Sequence, residues 1–361
     1  MGGRRILISP LNWGFGHAGR MIPLAAELKR RGNEVIFGVD KSLIPLVRSE
    51  LPGISVTEIR GLRIRYSRHL PQYICIFLQL PRITVASVRE YYDLRRLASR
   101  LQPDLIISDN RFGFRHRKIR SVYVTHQLRI AFPKRLRLME PLGVRLHRMI
   151  SSRFDHCLVP DYPGPANLSG RLSHDLPLPE NVCYCGPLTR FGTATSGQKP
   201  PRQPFCCLIL SGPEPQRSIL LEKVIAAVTD MPLVILSTTP LHPEGTVGQE
   251  ITVVTNPDTA TMERYLVEAA RIISRAGYTT IMELASLGRG AILIPTPGQT
   301  EQEYLGRYLN GRLGFVTVSQ RDIRPTVPLR HRNTEHAGEL LPDAAPLLKK
   351  ALDMLLEKEE Q

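Results

Sequence analysis

The sequence predicts an α/β protein with two Rossmann-like domains that face each other across a cleft. Short apolar segments alternate with helical segments twice along the chain, and a stretch rich in Pro, Gly and Ser at 192–204 separates the two series. The 361 residues, 42% of them hydrophobic, are enough for two cores. We therefore expect a first domain at 1–190, a second at 191–330 and a tail at 331–361.

The first domain opens with a βαβ unit. Its elements are a strand at 4–10, a glycine loop at 14–19, a helix at 21–31 and a strand at 34–39, and further parallel strands are expected at 104–108 and 121–125. Polar side chains follow the later strands, namely Asp109 and His126, while His17 lies in the glycine loop. We expect His17 to act as a general base, with Asp109 or His126 binding an acceptor or replacing it. His17 as a simple helix cap is the alternative.

The second domain repeats the alternation, with strands at 205–210, 233–236, 251–254 and 291–294 and a helix at 218–228. After the apolar pair Ile272 and Ile273, Gly277 opens a helix. The backbone N–H groups of its first turn suit a phosphate, and Glu283 follows one turn later. A second helix start, at 299–303, carries amides and carboxylates suited to sugar hydroxyls. Together these segments predict a pocket for a nucleotide joined to a sugar.

The tail at 344–359 is expected to form a helix. By analogy with such two-domain architectures it would cross back to the first domain, and a solvated terminal helix is the alternative.

The glycine loop also satisfies the dinucleotide pattern G-x-G-x-x-G through Gly14, Gly16 and Gly19. Asp40 ends the next strand about 20 residues later, as that fingerprint requires. An oxidoreductase that uses NAD is therefore a competing hypothesis. The second phosphate-type site beyond residue 204 argues against it.

The net charge of +15 is concentrated in one half of the chain. Residues 60–153 contain 21 Lys or Arg against 5 Asp or Glu, a net charge of +16. A basic surface with interleaved apolar residues, as in the amphipathic segment at 82–101, indicates an anionic membrane surface or a phosphorylated lipid or glycan acceptor. A solvated face without a partner is the alternative. We expect no nucleic-acid partner, because no nucleic-acid-binding motif is present.

The six cysteines show no CxxC spacing. They are typical of buried thiols in a reducing compartment, and no signal peptide or membrane span is apparent, so we expect a cytoplasmic protein, peripheral on the inner membrane face. Without a DxD motif at a strand end we also expect no metal and no cofactor.

Several of these motifs resemble those of GT-B glycosyltransferases of the MurG-like group, and the second half resembles glycosyltransferase family 28. The resemblance rests on the loop at 14–17, the segment at 186–190 that ends in Arg190, and above all residues 277–283 followed by Gln302 and Glu303. It spans about residues 4 to 320. The loop Ser211-Gly212-Pro213 has one glycine fewer than the family pattern, and Glu303 replaces an amide.

The resemblance implies an inverting, metal-independent hexosyltransferase that uses a nucleoside-diphosphate sugar, most simply UDP-linked N-acetylglucosamine. Glu283 would bind the ribose, Gln302 and Glu303 the sugar, and Gly14 and Gly16 would form the acceptor loop. The remaining donor contacts implied are Arg190, Ser211, Gly212, Gly277, Tyr278, Thr279 and Thr280. A sugar-nucleotide epimerase or a non-catalytic binding protein on the same scaffold stays open.

Overall fold

The computed structural model describes residues 3–12, 15–61, 72–191, 203–241, 249–324 and 341–357. These residues divide into two compact units. Unit 1 holds residues 3–12, 15–61, 76–190 and 342–357, and unit 2 holds residues 72–75, 191, 203–241, 249–324 and 341. Residues 192–202 of the expected linker lie outside the described residues.

In the described part of unit 1, seven strands form one parallel sheet. The strands are β1 (Arg5–Pro10), β2 (Glu34–Val39), β3 (Ser55–Glu58), β4 (Leu105–Asp109), β5 (Arg120–Val124), β6 (His156–Val159) and β7 (Val182–Tyr184). The helices of this unit are α1 (Phe15–Arg30), α2 (Ile44–Glu50), α4 (Leu80–Leu101) and α5 (Glu140–Ser151), while α3 (Gln72–Leu78) crosses the boundary, with residues 72–75 in unit 2. The central strands β1 and β4 are almost wholly buried, as expected for a parallel sheet covered on both faces.

The strand order of this sheet is β3-β2-β1-β4-β5-β6-β7, so the direction of winding reverses between β1 and β4. In sheets of this kind, ligands bind outside the carboxyl ends of the strands at that reversal. The register pairs Pro10 with Asp109, which places the last residue of β4 beside the end of β1.

Unit 2 contains a second parallel sheet, with six described strands in the order β10-β9-β8-β11-β12-β13. Its strands are β8 (Cys206–Leu210), β9 (Leu233–Ser237), β10 (Ile251–Thr255), β11 (Arg271–Ser274), β12 (Ile292–Leu293) and β13 (Val316–Thr317). Its helices are α6 (Gln216–Ala227), α7 (Thr259–Glu268), α8 (Tyr278–Ser286) and α9 (Thr300–Leu309). Here the winding reverses between β8 and β11, so the predicted pair of Rossmann-like α/β domains is confirmed.

The last helix, α10 (Ala345–Leu356), packs within unit 1. Arg31 of α1 forms an ion pair with Asp353 at 2.6 Å, and the Tyr162 hydroxyl donates a hydrogen bond to the Pro342 carbonyl oxygen at 2.7 Å. Ala344, just before the helix, lies against Gly186, where an added Cβ would come within 2.9 Å of the Ala344 Cβ. A glycine at 186 therefore allows the C-terminal segment to approach closely.

The predicted glycine loop of the first domain is wrong in part. Helix α1 begins at Phe15, so Gly16 and His17 lie in its first turn rather than in a loop before it. Glycine weakens helices, which favoured the loop in the sequence, but packing of the apolar face of α1 on the sheet outweighs that cost. Gly14 lies outside the described residues.

Candidate active site

Three predicted residues of unit 1 meet at the strand reversal. His17 lies in the first turn of α1, Asp109 is the last residue of β4, and His126 follows β5. A turn in which the Thr125 Oγ1 accepts a hydrogen bond from the Gln127 backbone N–H at 3.1 Å holds the backbone around His126. The structure therefore brings His17, Asp109 and His126 into one cluster.

The group that joins them is Arg20, which the sequence did not indicate. Its guanidinium group is 1% exposed and binds both carboxylate oxygens of Asp109, with the Nε atom 3.1 Å from Oδ2. The Nη1 atom lies 2.9 Å from the His126 Nδ1, and the Nη2 atom lies 3.0 Å from the His17 Nδ1. Arg20 stands one helical turn after His17, and that spacing was the available signal.

Because a guanidinium group donates hydrogen bonds and cannot accept them, Arg20 constrains His126. The His126 Nδ1 must accept from Arg20, so a neutral His126 carries its proton on Nε2. In that tautomer the Nε2 atom is a hydrogen-bond donor. A general base needs a lone pair instead, so the geometry does not suit His126 for that task.

His17 shares the contact with Arg20, but its Nδ1 also lies 2.9 Å from the Asp109 Oδ2. The Arg20 Nη2 also donates to the Asp109 Oδ1, so the His17 Nδ1 can carry a proton and donate it to Asp109. That tautomer leaves a lone pair on the His17 Nε2. The His17 side chain is 19% exposed whereas Asp109 is fully buried. Of the three candidates, His17 therefore has the geometry of a base held by a carboxylate.

The electrostatics of the cluster keep the His17 ring neutral. Burial lowers the pKa of His17, Asp109 raises it and Arg20 lowers it again, and the result is a pKa below the usual 6.5. Burial raises the pKa of Asp109, but the charges of Arg20 and His17 and their hydrogen bonds outweigh this effect and lower it. At neutral pH the cluster thus holds a neutral imidazole beside an ionised carboxylate.

In unit 2, helix α8 begins at the strand reversal, directly after β11. Its N-cap residue is Gly277, which has no side chain to cap the helix, and the first turn contains Tyr278, Thr279 and Thr280. The N-terminus of a helix carries partial positive charge that stabilises a phosphate. Glu283, in the second turn, is 4% exposed. The predicted phosphate and ribose residues therefore share one helix end.

The neighbouring helix α6 has a different N-terminus. After β8, Ser211 and Gly212 form a loop in which Gly212 has a φ of 101°, a conformation that favours glycine. The carboxylate of Glu214 then accepts hydrogen bonds from the Ser218 hydroxyl at 2.8 Å and the Ser218 N–H at 3.3 Å. A negative charge already caps α6, so α8 is the better phosphate site of the two.

Gln302 and Glu303 support the loop that leads into α9. The Gln302 Oε1 accepts a hydrogen bond from the Thr296 N–H, and the Glu303 Oε1 accepts one from the Gly298 N–H, both at 2.8 Å. With Oε1 engaged, the remaining polar group of the Gln302 amide is its NH₂, a donor, while Glu303 retains a second carboxylate oxygen. Arg190 is the last residue of the 76–190 segment of unit 1 and is half-buried.

Asp40, which the dinucleotide pattern assigns to a ribose, caps a short 3₁₀ helix. Its Oδ1 accepts hydrogen bonds from the Ser42 N–H at 3.2 Å and the Ser42 hydroxyl at 2.8 Å. Within the described ranges, no group of three or more His, Cys, Asp or Glu side chains is arranged to hold a metal ion. Across the same ranges, no helix combines the length and the apolar character that crossing a membrane requires.

Comparison with known proteins gives a family match in the second half of the chain. Residues 239–327 match the glycosyltransferase family 28 C-terminal domain. An uncharacterized glycosyltransferase of Methanosarcina mazei is 24% identical over 312 residues, which cover 83% of this chain and 82% of that protein. A shorter segment of 82 residues, 22% of this chain and 20% of the relative, is 34% identical to the UDP-N-acetylglucosamine–N-acetylmuramyl-(pentapeptide) pyrophosphoryl-undecaprenol N-acetylglucosamine transferase of Rhodopseudomonas palustris.

Solved structures share the fold over nearly the whole chain. The calicheamicin glycosyltransferase CalG4 superposes with a TM-score of 0.61 at 14% identity, covering 98% of this chain and 95% of that one. The spinosyn rhamnosyltransferase SpnG in complex with thymidine diphosphate gives 0.59 at 16% identity, with coverages of 98% and 92%. A putative UDP-N-acetylglucosamine 2-epimerase of Listeria monocytogenes gives 0.52 at 13% identity, with coverages of 99% and 89%.

These similarities leave the oxidoreductase hypothesis without support. The domain match and the curated relatives indicate a glycosyltransferase, and the solved structures share its fold. The chain is therefore a glycosyltransferase of the GT-B fold, and its residues 239–327 are similar to the glycosyltransferase family 28 C-terminal domain.

Proposed function

We propose that this protein transfers a sugar from a nucleoside-diphosphate sugar to an acceptor hydroxyl with inversion at the anomeric carbon. The first domain, 1–190, would bind the acceptor and the second, 191–330, the donor. The observation that carries the proposal is the contact between the His17 Nδ1 and the Asp109 Oδ2 at 2.9 Å, at the strand reversal of unit 1. A base held this way suits direct displacement, which needs no covalent intermediate.

In the proposed step, the His17 Nε2 takes the proton of the acceptor hydroxyl while that oxygen bonds to the anomeric carbon. The bond from the anomeric carbon to the phosphate oxygen breaks, and the nucleoside diphosphate leaves with the electron pair. Asp109 stabilises the imidazolium ion that forms, since its carboxylate accepts the Nδ1 proton. His126 would donate from Nε2 to an oxygen of the acceptor.

For the donor, we propose that Glu283 accepts hydrogen bonds from both ribose hydroxyls. The N–H groups of Tyr278, Thr279 and Thr280 would bind the diphosphate and stabilise the charge that develops on it. The Gln302 amide would donate to the sugar. Gly277 is the N-cap of that helix, and Ser211, Gly212, Glu303 and Arg190 are further proposed donor contacts.

The donor proposed is a UDP-sugar, with UDP-N-acetylglucosamine as the first candidate. The R. palustris relative, whose name specifies that donor, supports it over a short segment. The SpnG structure contains thymidine diphosphate, so dTDP-sugars are the second candidate. No metal or cofactor is part of the proposal, because the N-terminus of α8 supplies positive potential at the diphosphate.

For the acceptor, we propose a lipid- or glycan-type hydroxyl presented at an anionic membrane on the cytoplasmic side. Helices α4 and α5, with the 3₁₀ helix Lys134–Met139 that precedes α5, carry exposed apolar side chains among exposed arginines. The exposed apolar residues are Leu80, Val85, Val88, Tyr92, Leu136, Leu138, Met139, Leu142, Leu146 and Met149. The exposed arginines beside them are Arg82, Arg89, Arg135, Arg137, Arg145 and Arg148.

The helices that carry this surface contact the segment that follows Asp109. Gly113, four residues after Asp109, approaches α4 so closely that a Cβ would come within 1.9 Å of the Ser87 carbonyl oxygen. Next to it, the Phe112 ring packs edge-on against His147 of α5, with centroids 6.0 Å apart. Both helices therefore flank the segment that follows Asp109, where an acceptor held at a membrane would arrive.

The test is to incubate the protein with UDP-, dTDP- and GDP-sugars of known α configuration and to follow the anomeric protons by NMR. Without an acceptor, water attacks the anomeric carbon and the donor is slowly hydrolysed. We expect the sugar to be released first as the β anomer, before mutarotation mixes the anomers. His17→Ala should abolish this hydrolysis. Release of the α sugar would contradict inversion. Formation of the 2-epimer would identify an epimerase, and nucleotide binding without any turnover would leave a binding protein.

A further inference from the structure

Arg275 occupies a buried position at the carboxyl edge of the second sheet. It follows Ser274, the last residue of β11, and is 2% exposed. Its guanidinium group donates hydrogen bonds from Nη1 to the Ile294 carbonyl oxygen at 3.2 Å and from Nη2 to the Gln216 carbonyl oxygen at 2.5 Å. Arg275 thus ties the start of α6 and the segment after β12 to the loop that leads into α8.

The charge of Arg275 has no counter-ion in the described part of the chain. Four arginines there are buried, namely Arg20, Arg111, Arg271 and Arg275. The first three form ion pairs with Asp109, Glu90 and Asp230, respectively. Arg275 is bound by carbonyl oxygens instead, and burial lowers its pKa to about 10, so it remains charged at neutral pH.

A buried cation without an anionic partner is costly in a folded protein. Arg275 lies where the strand order of unit 2 reverses, two residues before the N-cap of α8, and this is the end of the sheet at which a donor diphosphate would bind. The donor diphosphate would bring the negative charge that the protein itself does not place beside Arg275. Positive potential in a poorly solvated site also acts more strongly on a phosphate than it would in water.

We propose that Arg275 is a positioning residue whose positive charge balances the negative charge of the donor diphosphate. Its two hydrogen bonds hold the segments before α6, α8 and α9 in fixed positions relative to one another. The inference rests on the proposed donor site. In this role Arg275 attracts the phosphates electrostatically and makes no contact with the base or the ribose. The binding of a nucleoside without phosphates should therefore be insensitive to this residue.

The test compares UDP with uridine, and dTDP with thymidine, by calorimetry and NMR titration on the full chain. We expect Arg275→Gln to weaken binding of the diphosphate about tenfold or more and that of the nucleoside less than about twofold. Arg275→Lys keeps the positive charge but loses the pair of guanidinium hydrogen bonds to the two carbonyl oxygens. We expect this variant to keep most of the preference for the diphosphate and to melt at a lower temperature than the wild type. Equal losses for diphosphate and nucleoside, or unchanged diphosphate binding, would overturn the proposal.

The matched control is Arg271→Gln. Arg271 is a buried arginine at the amino end of β11, the strand that precedes Arg275, and it forms an ion pair with Asp230 at 3.0 Å. We expect it to lower the melting temperature without changing the ratio of diphosphate to nucleoside affinity, and a changed ratio would overturn the proposal. If Arg275→Gln does not fold, the ratio of diphosphate to nucleoside affinity is measured in Arg275→Lys instead. A ratio within about threefold of the wild-type ratio supports the proposal, and a ratio near one refutes it. Should the wild-type protein bind neither diphosphate, the proposed donor site itself is wrong.

Discussion

The guanidinium group of Arg20 binds both carboxylate oxygens of Asp109, and neither residue is exposed by more than 1%. This ion pair holds Asp109 ionised and turns one carboxylate oxygen toward His17. Arg20 also contacts the Nδ1 of both histidines, at 2.9 Å for His126 and 3.0 Å for His17, and the His17 Nδ1 has the Asp109 carboxylate as a second neighbour. When His17 donates its Nδ1 proton to Asp109, the three candidates divide into a base, a carboxylate that orients it and a hydrogen-bond donor.

His17→Ala should remove the general base. We expect kcat to fall about 10²- to 10⁴-fold while donor affinity and melting temperature change little, because the His17 side chain is partly exposed and lies in unit 1. His126→Ala should lower kcat less than His17→Ala. Steady-state kinetics with the best donor checks both variants, and a His126→Ala defect as large as that of His17→Ala would contradict the assignment.

The pH profile reports on the same cluster. A base must be unprotonated to act, and the pKa of His17 is lowered, so activity should persist below pH 6.5 and fall only at more acidic pH. Since the Arg20 charge lowers this pKa, Arg20→Gln should move the acidic limb of kcat/KM to higher pH. The variant also leaves Asp109 buried without its cation, at a cost of about 3–5 kcal/mol in stability. An acidic limb that stays in place would show that His17 is not the titrating group.

The C-terminal helix should be part of the cooperative fold of unit 1. Leu352 is fully buried, and we expect Leu352→Ala to lower the free energy of unfolding by about 2–5 kcal/mol. The neighbouring ion pair of Asp353 with Arg31 is half-exposed on the aspartate side, so Asp353→Asn should cost less than about 1 kcal/mol. Urea unfolding measures both changes. A neutral Leu352→Ala would mean that the tail is an independent, solvated helix.

Binding to anionic vesicles should depend on both charge and apolar contact. Leu138 is 95% exposed beside Arg137, and we expect Leu138→Ser to weaken binding to vesicles with anionic lipid while leaving donor binding unchanged. High salt should weaken the wild-type interaction, because each basic residue near the membrane contributes about 1 kcal/mol. Sedimentation with anionic and neutral vesicles checks this. Equal binding of the wild type and Leu138→Ser to anionic vesicles would show that this exposed apolar side chain does not contribute to membrane binding.

The sequence predicted the elements whose patterns are local. Strands β1 and β4 each contain a run of three large apolar residues, and the start of α8 is marked by Gly277 after a buried strand. The short strands β3 and β13 lacked such runs. The start of α1 was misplaced because its glycines are typical of loops.

The candidate site was predicted residue by residue but not as a network. Asp109 and His126 could be found because each follows a strand. Arg20 was missed although it stands one helical turn after His17, because its partner Asp109 lies 89 positions away in the sequence and only the fold brings the two together. Likewise, the pairing of Gln302 with the Thr296 N–H depends on the path of the loop before α9.

The donor site of unit 2 can be tested by a calorimetric titration of UDP, dTDP, GDP, their sugar conjugates and NAD into the wild type and Glu283→Gln. We predict that one sugar nucleotide binds the wild type and that Glu283→Gln weakens it about tenfold or more, since a buried charged hydrogen bond to ribose is lost. Glu250→Gln, an exposed change in the same unit, should bind as the wild type does. Binding of NAD alone, or a sugar nucleotide bound equally well by Glu283→Gln, would contradict the account.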